Sequence, residues 1–277
     1  MIGRAQGDPI SITGLGAHVP ARVVTNDELS TMVETSDEWI QERTGIRERR
    51  VAAPEEALTD IALPAARDAL AQAYGMMAAG LSQRALVVGG DVLSRVLDWT
   101  DRSTVVLFGD GAGAVVLERT PDRGFLGFEL GADGGGGIHL SLPGSGSRLL
   151  ADGSGNGFVH MNGREVFKFA TRVLVSSAQA VLEQCGASVE DVDLYVPHQA
   201  NVRIMNHAAD KLGIPRERMV VNVDRFGNTS SGSIPLALAE AQRDGRLKKG
   251  DLVLMTGMGA GLTWGSGLIE WTLEAAA

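Results

Sequence analysis

The stretch MTGMGAGLTWGSGLIE, residues 255–270, contains two apolar strand patterns joined by the glycine-rich turn GMGAG. The earlier stretch LFGDGAGAVVLE, residues 107–118, repeats the order of strand, G-x-G-A-G and strand. Self-similarity of this kind predicts two related halves, each with its own sheet. We place the halves at residues 1–157 and 158–277. The alternative is that two glycine-rich hairpins arose independently.

The composition is that of a globular protein long enough for two packed halves, with 277 residues, 44% apolar and 21% charged. The net charge of −9 argues against a nucleic-acid-binding protein. Cys185 is the single cysteine, so no disulfide can form within the chain. The N-terminal residues lack the apolar core of a signal peptide, and no apolar run reaches the roughly 18 residues of a transmembrane helix. We therefore expect a cytoplasmic protein that binds neither nucleic acid nor membranes.

Hydrophobic periodicity and turn residues predict an alternation of strands and helices, which is typical of an α/β fold. The predicted strands cover residues 10–15, 85–90, 104–109, 114–118, 192–196, 219–223, 251–256 and 262–272. The predicted helices cover residues 36–44, 59–73, 162–185, 201–212 and 232–243. The strand 85–90 is expected to be buried, and the Gly-, Ser- and Asp-rich residues 130–157 are expected to form a long loop.

Polar residues follow an apolar strand in YVPHQANVRI, residues 195–204. Open α/β sheets keep their chemistry at the carboxyl ends of strands, so His198 is a candidate catalytic residue. A second polar head, Asn228, lies in RFGNTSSGSIP before a helix of small residues. The glycines of GMGAG expose backbone N–H groups that can bind an oxyanion. The competing interpretations are a structural histidine, a helix-capping asparagine and an ordinary tight turn.

In combination, PHQAN, NVDRFGNTSSGSIP, FGDGAGA and GMGAGLTWG resemble the motifs of β-ketoacyl-acyl-carrier-protein synthase III. TSDEWIQERTGIRERR, residues 35–50, and DWTDRSTVVLFGDGAGA, residues 98–114, fit the same family, and the resemblance covers nearly the whole chain. It implies a thiolase-like fold of two pseudo-repeated halves in α/β/α/β/α layers. It also implies an acyltransferase that initiates fatty acid synthesis by joining an acyl group from acyl-CoA to malonyl-acyl carrier protein, with loss of CO2.

The family's site is a Cys–His–Asn set, in which His198 and Asn228 match the His and the Asn. Gly261 matches the glycine that provides one oxyanion N–H group. Decarboxylation of a malonyl thioester leaves an enolate, whose oxygen can accept hydrogen bonds from Nε2–H of His198 and Nδ2–H of Asn228. Preorganised donors of this kind are worth on the order of 3 kcal/mol each. The acyl group must be held meanwhile on a nucleophile, for which a thiolate is best suited.

The nucleophilic Cys of the family has no counterpart in this sequence. The family places it in a segment that would lie between Ala73 and Tyr74, where roughly fifty residues, enough for two strands and their connections, are absent. Cys185 is a poor substitute, because it ends a helix before Gly186, and the negative end of a helix dipole disfavours a thiolate.

Two explanations of this gap are compatible with the sequence. Either the segment is truly deleted, or the sequence omits residues that the molecule contains. A true deletion would remove central strands from the first half and leave apolar faces bare, which favours omission. A Cα–Cα distance near 3.8 Å between residues 73 and 74 would indicate a real peptide bond.

The resemblance also assigns binding residues. Trp39, Arg43 and Arg102 match residues that line the mouth of the coenzyme A site, where an indole can stack on adenine and guanidinium groups can pair with phosphate. Carrier proteins are acidic, and the candidate docking residues are Lys168, Arg203, Lys211, Arg216 and Arg218. The alternatives are a helix-packing tryptophan and ordinary solvated charges. No His, Cys and Asp cluster has metal-ligand spacing, so we expect no metal and no cofactor besides the coenzyme A thioester substrate.

Two other functions remain open at this point. A remnant without its nucleophile could bind coenzyme A or carrier protein, or only decarboxylate malonyl thioesters. A secondary-metabolite condensing enzyme of the same fold would make a different product. The primer length is not predicted, since the acyl pocket belongs partly to the absent segment. The family is expected to be homodimeric, with contacts that the absent segment partly provides.

Overall fold

The computed structural model describes residues 10–54, 56, 84–119, 124–143 and 157–274. The strands are Ile10–His18 (β1), Val23–Thr25 (β2), Glu48–Arg50 (β3), Arg84–Asp91 (β4), Gly111–Arg119 (β5), Phe125–Ala132 (β6), Leu140–Ser141 (β7), His160–Met161 (β8), Leu194–Pro197 (β9), Leu252–Gly259 (β10) and Thr263–Glu270 (β11). The helices are Asn26–Ser30 (α1), Asp37–Thr44 (α2), Arg102–Val105 (α3), Gly163–Cys185 (α4), Val202–Leu212 (α5), Val223–Phe226 (α6) and Ser233–Arg243 (α7).

Two sheets share one topology, which confirms the two pseudo-repeated halves. The first sheet has the strand order β1-β5-β4, and both β1 and β4 run antiparallel to β5. The second has the order β6-β11-β10-β9, in which β6 and β10 run antiparallel to β11. In the first sheet β5 lies between β1 and β4. In the second sheet β11 lies in the same way between β6 and β10.

Helix α7 lies between the two sheets. Its Ala237 and Leu238 pack in one apolar cluster with Ile12 of β1 on one side and with Val196 of β9 and Val253 of β10 on the other. Helix α4 covers the opposite face of the second sheet, and α5 packs against α4. This arrangement provides four of the five predicted layers. The predicted helix 59–73, an outer element of the first half, lies outside the described residues.

Strand β6 was not predicted, because its residues lie partly in the region expected to be a loop. It precedes residue 157, the predicted boundary between the halves, yet it pairs with β11 in the second sheet. The change from the first sheet to the second therefore falls between β5 and β6. The division into two domains as such stays a prediction.

Two predicted strands are wrong. Residues 104–109 begin in helix α3, because the Asp101 side chain caps this turn by accepting a hydrogen bond from the Ser103 N–H. Only Phe108 there makes a strand-like bridge. In the region 219–223, Met219 makes one isolated bridge and residue 223 starts helix α6. The other predicted helices and strands in the described residues are confirmed to within a few residues at each end.

The strand β4 is present but is not buried as predicted. Its Leu86, Val87 and Val88 are 39%, 47% and 42% exposed. The corresponding strand of the second half, β10, is an inner strand, with β11 on one edge and β9 on the other. Among the described strands, β4 pairs with β5 alone. Such bare apolar residues are what we predict for a first half that lacks strands.

Two glycines that end helices in the left-handed conformation provide a matched test of how α2 packs on α5. Gly45 has φ of 76°, and a Cβ there would lie 2.3 Å from Val202 Cγ1, whereas Gly213 has φ of 78° and open space around it. A left-handed alanine costs about 1 kcal/mol, and a clash with a stiff valine adds about 1–3 kcal/mol. We expect urea unfolding to show a loss of about 1 kcal/mol for Gly213→Ala and about 2–4 kcal/mol for Gly45→Ala. Equal losses would contradict the α2–α5 contact.

Candidate active site

His198 directly follows strand β9, at the carboxyl end of the second sheet. Its backbone N–H donates to Thr256 O of β10 at 2.7 Å, which fixes the turn to the sheet. Its Nδ1 lies 2.5 Å from Ser233 Oγ, in the first turn of α7. Since Ser233 Oγ accepts a hydrogen bond from the Gln199 N–H, its own proton is free to point at Nδ1. When the Ser233 proton points at Nδ1, the ring carries its own proton on Nε2, the nitrogen that can then donate to a substrate.

The environment of His198 keeps its imidazole neutral. Removal from water lowers the pKa of His198 from 6.5 to about 4. The group next to its Nδ1 is a hydroxyl rather than a carboxylate, so nothing on that side stabilises the cation. At neutral pH His198 is therefore a hydrogen-bond donor without a charge.

The two amides that follow His198 have structural roles. Gln199 is fully buried, and its Nε2 donates to Pro197 O and Val220 O. Its Oε1 accepts from the N–H groups of Asn222 and Val223, so the side chain holds the His198 turn against the segment that leads to α6.

Asn201 begins helix α5 and connects it to α2. Its Oδ1 accepts from the Arg203 N–H at 2.8 Å, and its Nδ2 donates to Arg43 O at 3.1 Å. This contact ties the helix that carries Trp39 to the turn that carries His198.

Asn228 is held by backbone contacts with the first half of the chain. Its N–H donates to Leu107 O at 2.8 Å, and its carbonyl oxygen accepts from the Gly109 N–H at 2.9 Å, around a parallel bridge with Phe108. The side-chain Oδ1 accepts from the Ser230 N–H at 2.9 Å, which leaves Nδ2 as the free donor end of the amide. Ser230 has a φ of 52°, an unfavourable conformation of the kind that clusters at functional sites.

His198 and Asn228 line the same cavity, of about 640 Å³. Ser230, Ser233 and Ala260 contribute to its polar end. The remaining wall is mostly apolar, with residues from both halves such as Leu93, Val96, Leu107, Val159, Met161 and Phe167. An apolar wall lowers the local dielectric constant and strengthens hydrogen bonds made inside the cavity.

The single cysteine lies elsewhere. Cys185 is 2% exposed at the end of α4, where a Cβ on Gly127 of β6 would lie 2.6 Å from its Sγ. Burial raises the pKa of the Cys185 thiol. It does not line the cavity.

The oxyanion prediction requires Gly261 at the cavity wall, but Gly261 does not line the cavity in the structure. Gly259 and Ala260 line the cavity, and Gly261 lies one residue further along, with φ of 136°. Among the described residues no acceptor is bound to the Ala260 N–H. The glycines of GMGAG identify the turn. Which residue of the turn lines the cavity depends on how β10 and β11 pair, and the local sequence does not determine that pairing.

The three predicted coenzyme A residues come together at one place. The guanidinium carbons of Arg43 and Arg102 each lie 4.8 Å from the centre of the Trp39 ring. Arg102 also donates to Glu34 O at 2.7 Å. None of the three lines the cavity, but Arg43 O accepts from the side chain of Asn201, which does.

The five predicted docking residues differ in their surroundings. The guanidinium carbon of Arg203 lies 5.6 Å from the ring of Phe167, a cavity residue, so Arg203 stands at the cavity rim. Lys168 pairs with Glu165 at 2.8 Å and Arg216 with Asp210 at 2.5 Å. Arg218 donates to two backbone carbonyl groups. Lys211 is exposed in the last turn of α5.

Sequence reasoning missed Ser233, the partner of His198, and the positioning role of Gln199. Both lie in stretches that were singled out, PHQAN and GNTSSGSIP. A serine five positions after Asn228 carries no local signal that its hydroxyl will meet an imidazole from another element.

Comparison with known proteins bears on the same residues. Residues 182–271 match the family described as 3-oxoacyl-[acyl-carrier-protein (ACP)] synthase III C terminal, and residues 64–134 match 3-oxoacyl-[acyl-carrier-protein (ACP)] synthase III. β-Ketoacyl-[acyl-carrier-protein] synthase III of Symbiobacterium thermophilum is 46% identical, over 95% of this chain and 98% of that protein. The chain belongs to the β-ketoacyl-acyl-carrier-protein synthase III family.

Other members agree in sequence and in structure. β-Ketoacyl-[acyl-carrier-protein] synthase III 2 of Deinococcus radiodurans is 42% identical, over 95% of this chain and 94% of that protein. The crystal structure of 3-oxoacyl-[acyl-carrier-protein] synthase III from Aquifex aeolicus is 38% identical and superimposes with a TM-score of 0.86, over 95% of this chain and 100% of that one. The priming β-ketosynthase of the R1128 polyketide pathway is 31% identical with a TM-score of 0.88, over 100% and 99%. The thiolase-like α/β fold is therefore confirmed.

These family members contain interior residues that this chain lacks. The alignment with the Symbiobacterium thermophilum enzyme extends over 324 residues, although the chain has only 277. The predicted position of the gap, between Ala73 and Tyr74, lies outside the described residues, and so does the distance that tests it.

Two further observations apply to the described part of the chain. None of its helices is both long and apolar enough to span a membrane. In the same residues, no group of three His, Cys, Asp or Glu side chains is arranged to hold a metal ion.

The low pKa of His198 predicts an acid-dependent loss of stability. Below pH 6.5 the unfolded chain takes up a proton on this imidazole, whereas the folded protein does not until about pH 4. Stability is therefore full above pH 6.5 and falls as the pH decreases through this window. Between pH 7 and pH 5 we expect the free energy of unfolding to fall by about 1–2 kcal/mol more in the wild type than in His198→Gln. Parallel urea-unfolding curves for the two proteins would contradict a neutral His198.

Proposed function

We propose that this chain acts as a β-ketoacyl-acyl-carrier-protein synthase III, an acyltransferase that condenses an acyl-CoA primer with malonyl-acyl carrier protein and initiates fatty acid synthesis. The observation that carries the proposal is the convergence of two uncharged donors, His198 and Asn228, on one apolar-walled cavity. The substrates are inferred from the family to which the chain belongs. The reaction is inferred from the two hydrogen-bond donors, His198 and Asn228.

The donor pair acts on the malonyl thioester. As the bond between the malonyl α-carbon and its carboxylate breaks, CO2 leaves and the electron pair moves toward the thioester oxygen. Nε2–H of His198 and Nδ2–H of Asn228 hold that oxygen as it becomes anionic. Because both donors are fixed by Ser233 and by Ser230, they need not reorganise during the reaction. The enolate carbon then attacks the carbonyl carbon of the primer thioester, which expels a thiolate.

Other residues bind the reactants and the product of that attack. The Ala260 N–H, next to the predicted Gly261, donates to the oxyanion of the condensation step. The Trp39, Arg43 and Arg102 cluster binds the adenine and phosphate groups of coenzyme A. Arg203 at the cavity rim, together with the other four predicted basic residues, meets the acidic carrier protein. The enzyme works in the cytoplasm as a homodimer and needs no cofactor.

A second candidate function is decarboxylation of malonyl thioesters without condensation. It is favoured by one observation, that the single cysteine of the chain is buried outside the cavity. Condensation through an acyl-enzyme needs a thiol from the segment that the sequence lacks. The 31% identity to the R1128 priming ketosynthase favours a third variant of the same chemistry, with a secondary-metabolite product.

Removing either donor should abolish most of the decarboxylation. We expect His198→Ala and Asn228→Ala each to lower kcat for CO2 release from malonyl-CoA by about 100- to 1,000-fold, because each deletes one donor to the enolate oxygen. Arg243→Ala, an exposed change in the last turn of α7, is the control and should retain the wild-type rate. Release of CO2 at the wild-type rate by either donor variant would refute the assignment.

Intact-protein mass spectrometry after mixing with acetyl-CoA separates condensation from decarboxylation alone. A condensing enzyme is expected to gain the mass of one acetyl group, and to do so equally in Cys185→Ser, because Cys185 is buried outside the cavity. A protein that has the 29.1 kDa mass of the 277 residues and gains no acetyl group is a decarboxylase only. An adduct that disappears in Cys185→Ser would show that our assignment of that thiol is wrong.

A further inference from the structure

Arg49, in the middle of β3, is a buried cation that the site described above does not use. It is 1% exposed. Its Nη1 donates to Asn26 Oδ1 at 2.8 Å and to Val24 O at 3.2 Å, and its Nη2 donates to Val106 O at 3.1 Å. Among the described residues no carboxylate forms an ion pair with it, and its Nε has no partner. Burial lowers the pKa of Arg49 to about 10, so it is still charged at neutral pH.

A buried guanidinium held only by neutral oxygens is an expensive feature. Charged groups taken out of water lose several kcal/mol of solvation, which neutral acceptors and an orphaned Nε recover only in part. An apolar side chain would fill the same space at less cost. The contacts that Arg49 makes are therefore the reason to look for a role beyond stability.

The Cβ atom of Arg49 packs against the backbone at Gly109 and Gly227, next to Asn228. A Cβ on Gly109 would lie 3.2 Å from Arg49 Cβ, and a Cβ on Gly227 would lie 3.2 Å from the same atom. These two glycines flank the bridge in which Phe108 pairs with Asn228. Gly227 has φ of 67°, and Gly109 approaches Phe226 O so closely that a side chain there has no room.

The guanidinium group of Arg49 also binds the first-half segment of this bridge, at Val106. Val106, whose carbonyl oxygen accepts from Nη2, precedes Leu107, whose carbonyl oxygen accepts from the Asn228 N–H. One side chain thus lies against the glycines on both sides of the bridge and binds the first-half segment at Val106.

We propose that Arg49 is a positioning residue that fixes the backbone of Asn228 and thereby aims its Nδ2 donor into the cavity. This inference rests on the proposed function of Asn228 as a donor to the enolate oxygen. Arg49 does not line the cavity, so we expect its effect on kcat to pass mainly through the Phe108–Asn228 bridge.

The same network reaches the Trp39 cluster. Asn26, which accepts from Arg49, donates through Nδ2 to Asp37 Oδ1 at 2.8 Å, and hydrogen bonds from Asn26 and Gln41 lower the pKa of Asp37. Asp37 starts helix α2, which carries Trp39 and Arg43. Arg49 therefore sits between the residues proposed for coenzyme A and the residue proposed for the enolate.

The test is a double-mutant cycle on CO2 release from malonyl-CoA. Arg49→Lys keeps the charge but cannot reach all three acceptors, and we expect kcat to fall by about 10- to 100-fold with KM changed less than about threefold. In the Asn228→Ala background the same change should alter kcat by less than about twofold, whereas in His198→Ala it should keep its full effect. Arg50→Lys, the neighbouring arginine on the other face of β3, is the matched control and should retain the wild-type rate.

A loss of rate from Arg49→Lys that is just as large in the Asn228→Ala background would overturn the proposal. Amide hydrogen exchange provides a readout that does not depend on activity. In Arg49→Lys, but not in Arg50→Lys, exchange at the bridge N–H groups of Gly109 and Asn228 should quicken by about tenfold or more. Unchanged exchange refutes positioning by Arg49. A wild type that releases no CO2, with exchange altered as expected, would refute the proposed function instead.

Arg49→Lys could fail through misfolding, so a milder variant accompanies it. Asn26→Ala removes one acceptor of Arg49 and leaves the arginine in place. We expect a smaller loss of kcat, about three- to tenfold, that again disappears in the Asn228→Ala background. A loss that persists in that background would count against the proposal.

Discussion

The backbone bridge between Phe108 and Asn228 is the contact on which the site depends. Two hydrogen bonds, from the Asn228 N–H to Leu107 O and from the Gly109 N–H to Asn228 O, join the two halves of the chain there. Through it the first half contributes Leu107 and Phe108 to the cavity wall, and the second half contributes both donors. Such a bridge needs residues without side chains on either side, which explains Gly109 and Gly227. The polar chemistry of the second half is therefore held in register by the packing of the first.

The second constraint is that the side chains of His198 and Asn228 carry no charge. A carboxylate next to His198 Nδ1 would stabilise the imidazolium, but the structure places the Ser233 hydroxyl there, and burial lowers the pKa of His198 to about 4. Asn228 has its oxygen engaged by the Ser230 N–H, so it presents its nitrogen. Two donors without net charge can stabilise an anion that develops during the reaction and do not bind the initial carboxylate as an ion pair. This pattern fits a cavity that must release CO2.

The missing interior segment accounts for two features at once. The family's thiol is predicted to lie in that segment, and Cys185, packed against β6, does not line the cavity. In the sequence without that segment, β4 has exposed valines and pairs with β5 alone among the described strands, whereas β10, its counterpart in the second half, has a strand on each edge. The donor half of the site survives because His198, Ser233 and Asn228 all belong to the second half of the chain. The residues proposed for decarboxylation therefore lie outside the segment in which the acylated thiol is predicted.

The sequence by itself determined the α/β class, the duplicated halves and the family, and it predicted His198 and Asn228 as the donors of the site. These follow from local patterns: apolar strands that end in polar turns, glycine-rich repeats and helix caps such as Ser36. Only the tertiary structure decided that Ser233 contacts Nδ1 of His198, that Ala260 rather than Gly261 lines the cavity, and that residues 102–105 are helical. It also decided that β4 is exposed and that β6 joins the second sheet. Apart from the helix at 102–105, which the neighbouring Asp101 caps, each of these depends on contacts between residues far apart in the chain. Such contacts leave no periodicity in the sequence that could have revealed them.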